Sequence, residues 1–155
     1  MRVNIIAVGK WKASPERDLF DEYVRRLNWP TTLKEVEEHR KVPPAQLTAR
    51  EGELLLATLP KASPGLFVVA LDPRGKALSS EELANQIRQW RERGTDDLAF
   101  LIGGAEGLSA AARQRANFIL SFGAMTWPHL LVRAMLAEQL YRAQAILTGH
   151  PYHRQ

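Results

Sequence analysis

The chain predicts an α/β domain, a mostly parallel sheet with helices on both faces. Three observations carry that expectation. Strand-like and helix-like segments alternate from end to end of the 155 residues, the pattern of strands joined by helical crossovers. Two runs, at 66–71 and 98–102, are apolar without a break, as a strand covered on both faces requires. The stretches between them carry helix start signals.

Taken in order, residues 2–8 form a short β-rich run closed by Gly9. Ser14 caps a helix whose first position is Pro15, where the missing N–H costs nothing. Leu19, Phe20, Tyr23, Val24 and Leu27 follow at helical spacing. Residues 31–37 read as a second strand, weakened by several charges. Pro43 and Pro44 open a helix to about Leu59, broken over 60–65. After the strand at 66–71, Ser79 and Glu82 make a capping-box pair before a helix carrying Leu83, Ile87 and Trp90. The strand at 98–102 is closed by Gly103-Gly104. Ser109 caps a short helix, 118–122 is a fifth strand, and Pro128 starts a last helix to about Leu147. No long linker or repeat interrupts the series, so residues 1–155 read as a single domain.

Composition narrows the chemistry. There is no cysteine, which excludes thiol catalysis, disulfide scaffolds and cysteine zinc sites. His150 and His153 lack an obvious carboxylate partner, so no metal is expected. The apolar N-terminal run is too short for a signal peptide or a membrane span; no membrane association and a cytoplasmic address are expected. Lys and Arg number 21 against 17 Asp and Glu, a formal charge of +4. That balance is compatible with a polyanionic partner without establishing one.

In open α/β sheets ligands bind beyond the carboxyl ends of the strands. Three such ends lie in the second half: 71–76, 102–107 and 122–128. The middle one carries Gly103-Gly104 and Gly107, which let a backbone approach a ligand closely, at a spacing that fits neither a dinucleotide fingerprint nor a phosphate loop. Taken alone, the glycines are accounted for more readily by a tight structural turn between strand and helix. The third, Phe122 to Thr126, is small and weakly polar, offering backbone groups and apolar walls to an adenine-like ring. His129 and Arg133 follow, four apart and so expected on one helix face beneath these loops. The last helix is apolar nearly all round, which calls for cover on more than one side: either a deep core or a second copy. The ending His150-Pro151-Tyr152-His153-Arg154 groups aromatic and basic side chains able to stack bases and contact phosphates.

Leu101-Ile102-Gly103-Gly104-Ala105-Glu106-Gly107-Leu108, Thr126-Trp127-Pro128-His129-Leu130-Leu131-Val132-Arg133, Glu138-Gln139-Leu140-Tyr141-Arg142-Ala143 and that ending together resemble one family. It is the RlmH family of bacterial ribosomal RNA large-subunit methyltransferases, within the SPOUT class. The resemblance runs the full length, including Val8-Gly9-Lys10 and Leu71-Asp72-Pro73-Arg74-Gly75-Lys76. It implies methyl transfer from S-adenosylmethionine to N3 of a pseudouridine in 23S ribosomal RNA, a homodimer, and a C-terminal trefoil knot forming the cofactor pocket. Ordinary topology rules make such a knot a last resort.

By that resemblance Leu71, Gly103, Gly104, Phe122, Gly123, Ala124, Met125, Thr126 and Trp127 are expected to bind the cofactor. N3 of a uracil ring is a poor nucleophile until its proton leaves, so the site needs a base and a means of orienting the donor. His129, His153 and Glu106 are candidate bases. Arg133, Arg142 and Arg154 are candidates to stabilise charge on the ring oxygens or hold phosphates. The catalytic expectation falls on His129 and Arg133 with His153 and Arg154 of the tail, from the same chain or a partner. Since +4 is a weak charge for gripping RNA alone, the expected substrate is 23S ribosomal RNA in the assembled 70S ribosome. The alternatives are a SPOUT-type tRNA ribose methyltransferase and a non-catalytic ribosome-associated protein.

Overall fold

The computed structural model describes residues 1–154. Five strands, β1 (Arg2–Val8), β2 (Thr31–Val36), β3 (Leu66–Ala77), β4 (Asp97–Ile102) and β5 (Phe118–Ser121), alternate with five helices. The helices are α1 (Pro15–Arg26), α2 (Pro44–Ala57), α3 (Ser80–Glu92), α4 (Ala110–Arg115) and α5 (His129–Thr148). The strands form one sheet in the order β2-β1-β4-β3-β5, and every neighbouring pair is parallel. All carboxyl ends therefore share one edge, where the chemistry was expected.

Side chains alternate across the sheet, so each strand feeds two cores. Val3, Ile5 and Ala7 of β1 with Leu98 and Phe100 of β4 meet Phe20, Leu83, Ile87, Trp90, Leu136 and Leu140 of α1, α3 and α5. Ile6, Val68, Ala70, Ala99 and Leu101 meet Leu55 and Ala112 of α2 and α4 on the other face. All six residues of β4 are buried, which is why its sequence shows no alternation. At the opposite edge, Arg2 and Asn4 donate to the buried Asp97 carboxylate. The Arg2 bond, first among several, holds that carboxyl well below the usual range.

The helix starts obey the local code. The Ser14 hydroxyl accepts from Arg17 N–H at 3.2 Å. Ser79 and Glu82 form the reciprocal capping box, and Ser109 caps α4. Gly149, at φ 70°, ends α5 in the left-handed conformation that glycine adopts without strain.

One strand departs from expectation. β3 runs past Leu71 to Ala77: its register on β5 shifts between Leu71 and Lys76, and Lys76 and Ala77 rejoin Leu120 and Ser121. Asp72-Pro73-Arg74-Gly75 reads as a stop because proline cannot donate to a ladder and aspartate and glycine favour turns. Here it is an excursion, pinned where Asp72 accepts from the Arg74 amide at 2.8 Å and from its guanidinium at 2.9 and 3.0 Å.

Candidate active site

The ends of β3, β4 and β5 do converge. A cleft of about 180 Å³ is lined by Leu71, Asp72 and Pro73, by 102–105 with Gly107, and by Leu120, Phe122, Gly123 and 125–127. His129 and Val132 of α5 close it. Among the expected cofactor residues, Leu71, Gly103, Gly104, Phe122, Gly123, Met125, Thr126 and Trp127 line this space, whereas the exposed Ala124 does not.

The glycine loop is packed on itself. Gly107 N–H donates to the Gly104 carbonyl at 3.0 Å, and a Cβ on Gly103 would stand 2.6 Å from the Gly107 carbonyl. No other residue fits at 103. The third loop turns where Ser121 Oγ accepts from Gly123 N–H at 3.1 Å, and the Trp127 indole donates to the Phe122 carbonyl at 3.2 Å. Met125 and Trp127 remain 72% and 39% exposed, so the mouth of the cleft is apolar. Apolar walls, backbone amides and carbonyls, and a glycine-only approach fit an adenosyl group with a small charged end.

Two features of this site escaped sequence reading. Asp72 lines the cleft while buried, and the Arg74 hydrogen bond, the largest influence, lowers its pKa. Glu35 anchors Arg133, and a charged residue on a weak, polar-looking strand gives no hint of that role.

His129 and Arg133 part company. His129 is half-buried at the cleft, and burial first, then the nearby Arg133 charge, pushes its pKa down. Arg133 is 0% exposed and lines no part of the cleft. Its guanidinium donates to the carbonyls of Val8 at 2.7 Å and Gly9 at 2.9 Å and to Glu35 at 2.9 Å. It also lies over the Trp11 ring, 5.1 Å from the centroid. The two leave α5 as neighbours, but the long Arg133 side chain reaches inward to the carbonyls at the end of β1 and does not join His129 at the cleft.

The tail is ordered against its own chain. Tyr152 hydroxyl donates to Glu138 at 3.0 Å and lies 3.0 Å from the Tyr23 hydroxyl. The His153 ring sits between Glu81, 2.7 Å from Nε2, and Arg142, 3.2 Å from Nδ1. Arg154 is exposed and reaches back to the Pro151 carbonyl at 3.4 Å. The tail is expected to bring His153 and Arg154 to the site from the same chain or a partner; in this chain neither lines the cleft. Glu106 is exposed on the glycine loop.

Residues 1–153 match the family described as predicted SPOUT methyltransferase. The chain is 61% identical over 154 residues to the protein of Paramagnetospirillum magneticum named Ribosomal RNA large subunit methyltransferase H, covering 99% of each. The protein of the same name from Rhodospirillum centenum is 54% identical over 154 residues, again covering 99% of each. A probable methylase family protein from Haemophilus influenzae Rd KW20 aligns with a TM-score of 0.57 at 12% identity, covering 99% of this chain and 70% of that one. A probable methyltransferase from Bordetella pertussis Tohama I aligns at 0.55 and 18% identity, covering 92% and 95%. At those identities the two structures speak for the fold alone.

Proposed function

The chain belongs to the SPOUT methyltransferase family, and on that premise we propose that it methylates N3 of a pseudouridine in 23S ribosomal RNA. The observation that carries the reading is the cleft itself, where three strand-end loops converge on His129. The methyl donor is S-adenosylmethionine, which supplies an electrophilic methyl on a sulfonium. Leu71, Gly103, Gly104, Phe122, Gly123, Met125, Thr126 and Trp127 would hold it through apolar contact and backbone groups.

His129 is the base we assign. A pKa pushed down by burial leaves its imidazole neutral near pH 7, with a lone pair free for the N3 proton. Once that proton has moved to the imidazole, N3 carries the electron pair that bonds the methyl as the methyl–sulfur bond breaks, its pair remaining on sulfur. Negative charge spread onto the ring oxygens calls for a cation, and Arg154 is the exposed tail guanidinium suited to supply it. Arg133 then acts as a positioning residue, fixing the start of α5, and so His129, against the end of β1.

The reading includes a C-terminal trefoil knot around the cleft, a single domain over 1–155, a homodimer whose second copy brings its own His153 and Arg154 to the site, and a cytoplasmic address. Among the described residues no helix is long and apolar enough to cross a membrane. With a formal charge of only +4, the chain depends on the folded 70S ribosome for much of its grip. Radiolabel transfer from S-adenosylmethionine to purified 70S ribosomes, followed by mapping of the modified nucleotide, is expected to mark one pseudouridine. Equal labelling of naked 23S RNA, or a label on a ribose, would defeat this proposal.

A further inference from the structure

Glu51, on α2, lies outside every contact described so far. It is 7% exposed, and no hydrogen bond or ion pair reaches its carboxylate among the described residues. A carboxyl on so buried a residue gives up much of its hydration with no protein partner in return, although its oxygens keep some contact with solvent. Its position gives a reason to keep it. Glu51 Oε2 lies 2.9 Å from where a Cβ on Gly104 would stand, next to Val8 at the end of β1. The following residue, Gly52, meets Ser109 so closely that no side chain fits there. Two consecutive residues of α2 thus touch both ends of the 103–109 segment, one through a carboxyl and the other through bare backbone. Gly103, Gly104, Ala105 and Gly107 of that segment form one wall of the cleft.

We propose that Glu51 is a positioning residue for the methyl-donor cleft, its carboxyl wedged behind Gly104 so that the glycine loop stands where the donor is received. The inference rests on the reading that this cleft takes S-adenosylmethionine. A Cβ on Gly104 would meet the Val8 side chain at 3.1 Å as well as the end of the Glu51 wedge, so two neighbours crowd the position. Burial, with Glu106 nearby, pushes the Glu51 carboxyl up, which favours its neutral form and makes glutamine its close mimic.

Titration calorimetry of S-adenosylmethionine into the full chain tests this, with melting temperature as the check on folding. If the unaltered protein does not bind the donor, the reading of the cleft fails, whatever Glu51 does. Given binding, Glu51→Ala is expected to raise Kd about tenfold or more while kcat at saturating donor stays within about threefold. Glu51→Gln is expected to stay within about threefold of the parent Kd. Gly104→Ala should weaken binding, and Glu51→Ala placed on top of it should recover part of that loss, since one of the two collisions, that with the carboxyl, is then gone. Glu51→Asp, which keeps the acid and shortens the wedge by one methylene, should weaken binding severalfold even if the alanine variant does not fold. Parent-like Kd in Glu51→Ala or Glu51→Asp overturns the proposal, as does strict additivity of the two alanine substitutions.

Discussion

Arg133 is the residue whose surroundings say most about how the site is held. A fully buried guanidinium pays a large desolvation cost, and burial does push its pKa down, opposed by the Glu35 hydrogen bond. The cost is offset because Val8 and Gly9, at the end of β1, have carbonyls that need donors and Glu35 has a charge that needs a partner. Removing the guanidinium takes this donor from both carbonyls, while Glu35 keeps the Trp11 amide and the nearby Arg17. Arg133→Met is therefore expected to cost about 3 kcal/mol, a fall in melting temperature of about 10 °C for a domain of this size. At a temperature where the variant stays folded, kcat should drop by less than about tenfold. An unchanged melting curve with a kcat loss of about a thousandfold would instead place Arg133 in the transition state. Spacing showed that His129 and Arg133 are neighbours on α5. It did not show that Arg133 turns inward, because the carbonyls it reaches lie 124 and 125 residues away.

Among the elements, the helices were the most legible, since Ser14, Ser79 and Ser109 announce their starts through contacts within three residues. The three ligand loops were legible for a similar reason, as strand ends recognisable from apolar runs. The end of β3 was not legible because its continuation depends on Lys76 and Ala77 pairing with Leu120 and Ser121 of β5, 44 residues on. The tail was the least legible, being made of residues whose partners sit on α1, α3 and α5. Tyr152 and His153 tie it to Tyr23, Glu81, Glu138 and Arg142, so it has a defined course without touching the cleft of its own chain. Ending the chain after Gly149 is accordingly expected to leave donor affinity within about twofold while cutting kcat on ribosomes by about a hundredfold or more. Calorimetry beside single-turnover labelling reads the two separately. A truncated chain with full turnover would remove the tail from catalysis, and one that loses donor binding would place it in the cofactor wall.

For the molecule as a whole, parallel alternation was readable, but the order β2-β1-β4-β3-β5 was not, because neighbours there are chosen by packing across the chain. The same limit applies to what covers α5. Its inner side packs on α1 and α3, yet a groove of about 510 Å³ stays open beside it, lined by Leu19, Leu78, Leu83, Leu131 and Met135 among others. Leu19 is 45% exposed. The groove shares Leu120, Phe122 and Gly123 with the cleft, so a second copy seated on it would also bear on the site, as the proposed dimer requires. An apolar face this continuous is expensive to leave in water. Sedimentation at about 20 µM is expected to give twice the 17.5 kDa of one chain. Leu131 lines the groove and not the cleft, so Leu131→Glu puts a charge into the groove and should yield a folded monomer. If the tail is supplied across the dimer, that monomer loses turnover on ribosomes. Mixing it with chains carrying Arg154→Ala then restores nothing, because Leu131→Glu cannot seat a partner. A parent protein that sediments as 17.5 kDa, or a monomeric Leu131→Glu with full turnover, would show that each chain completes its own site.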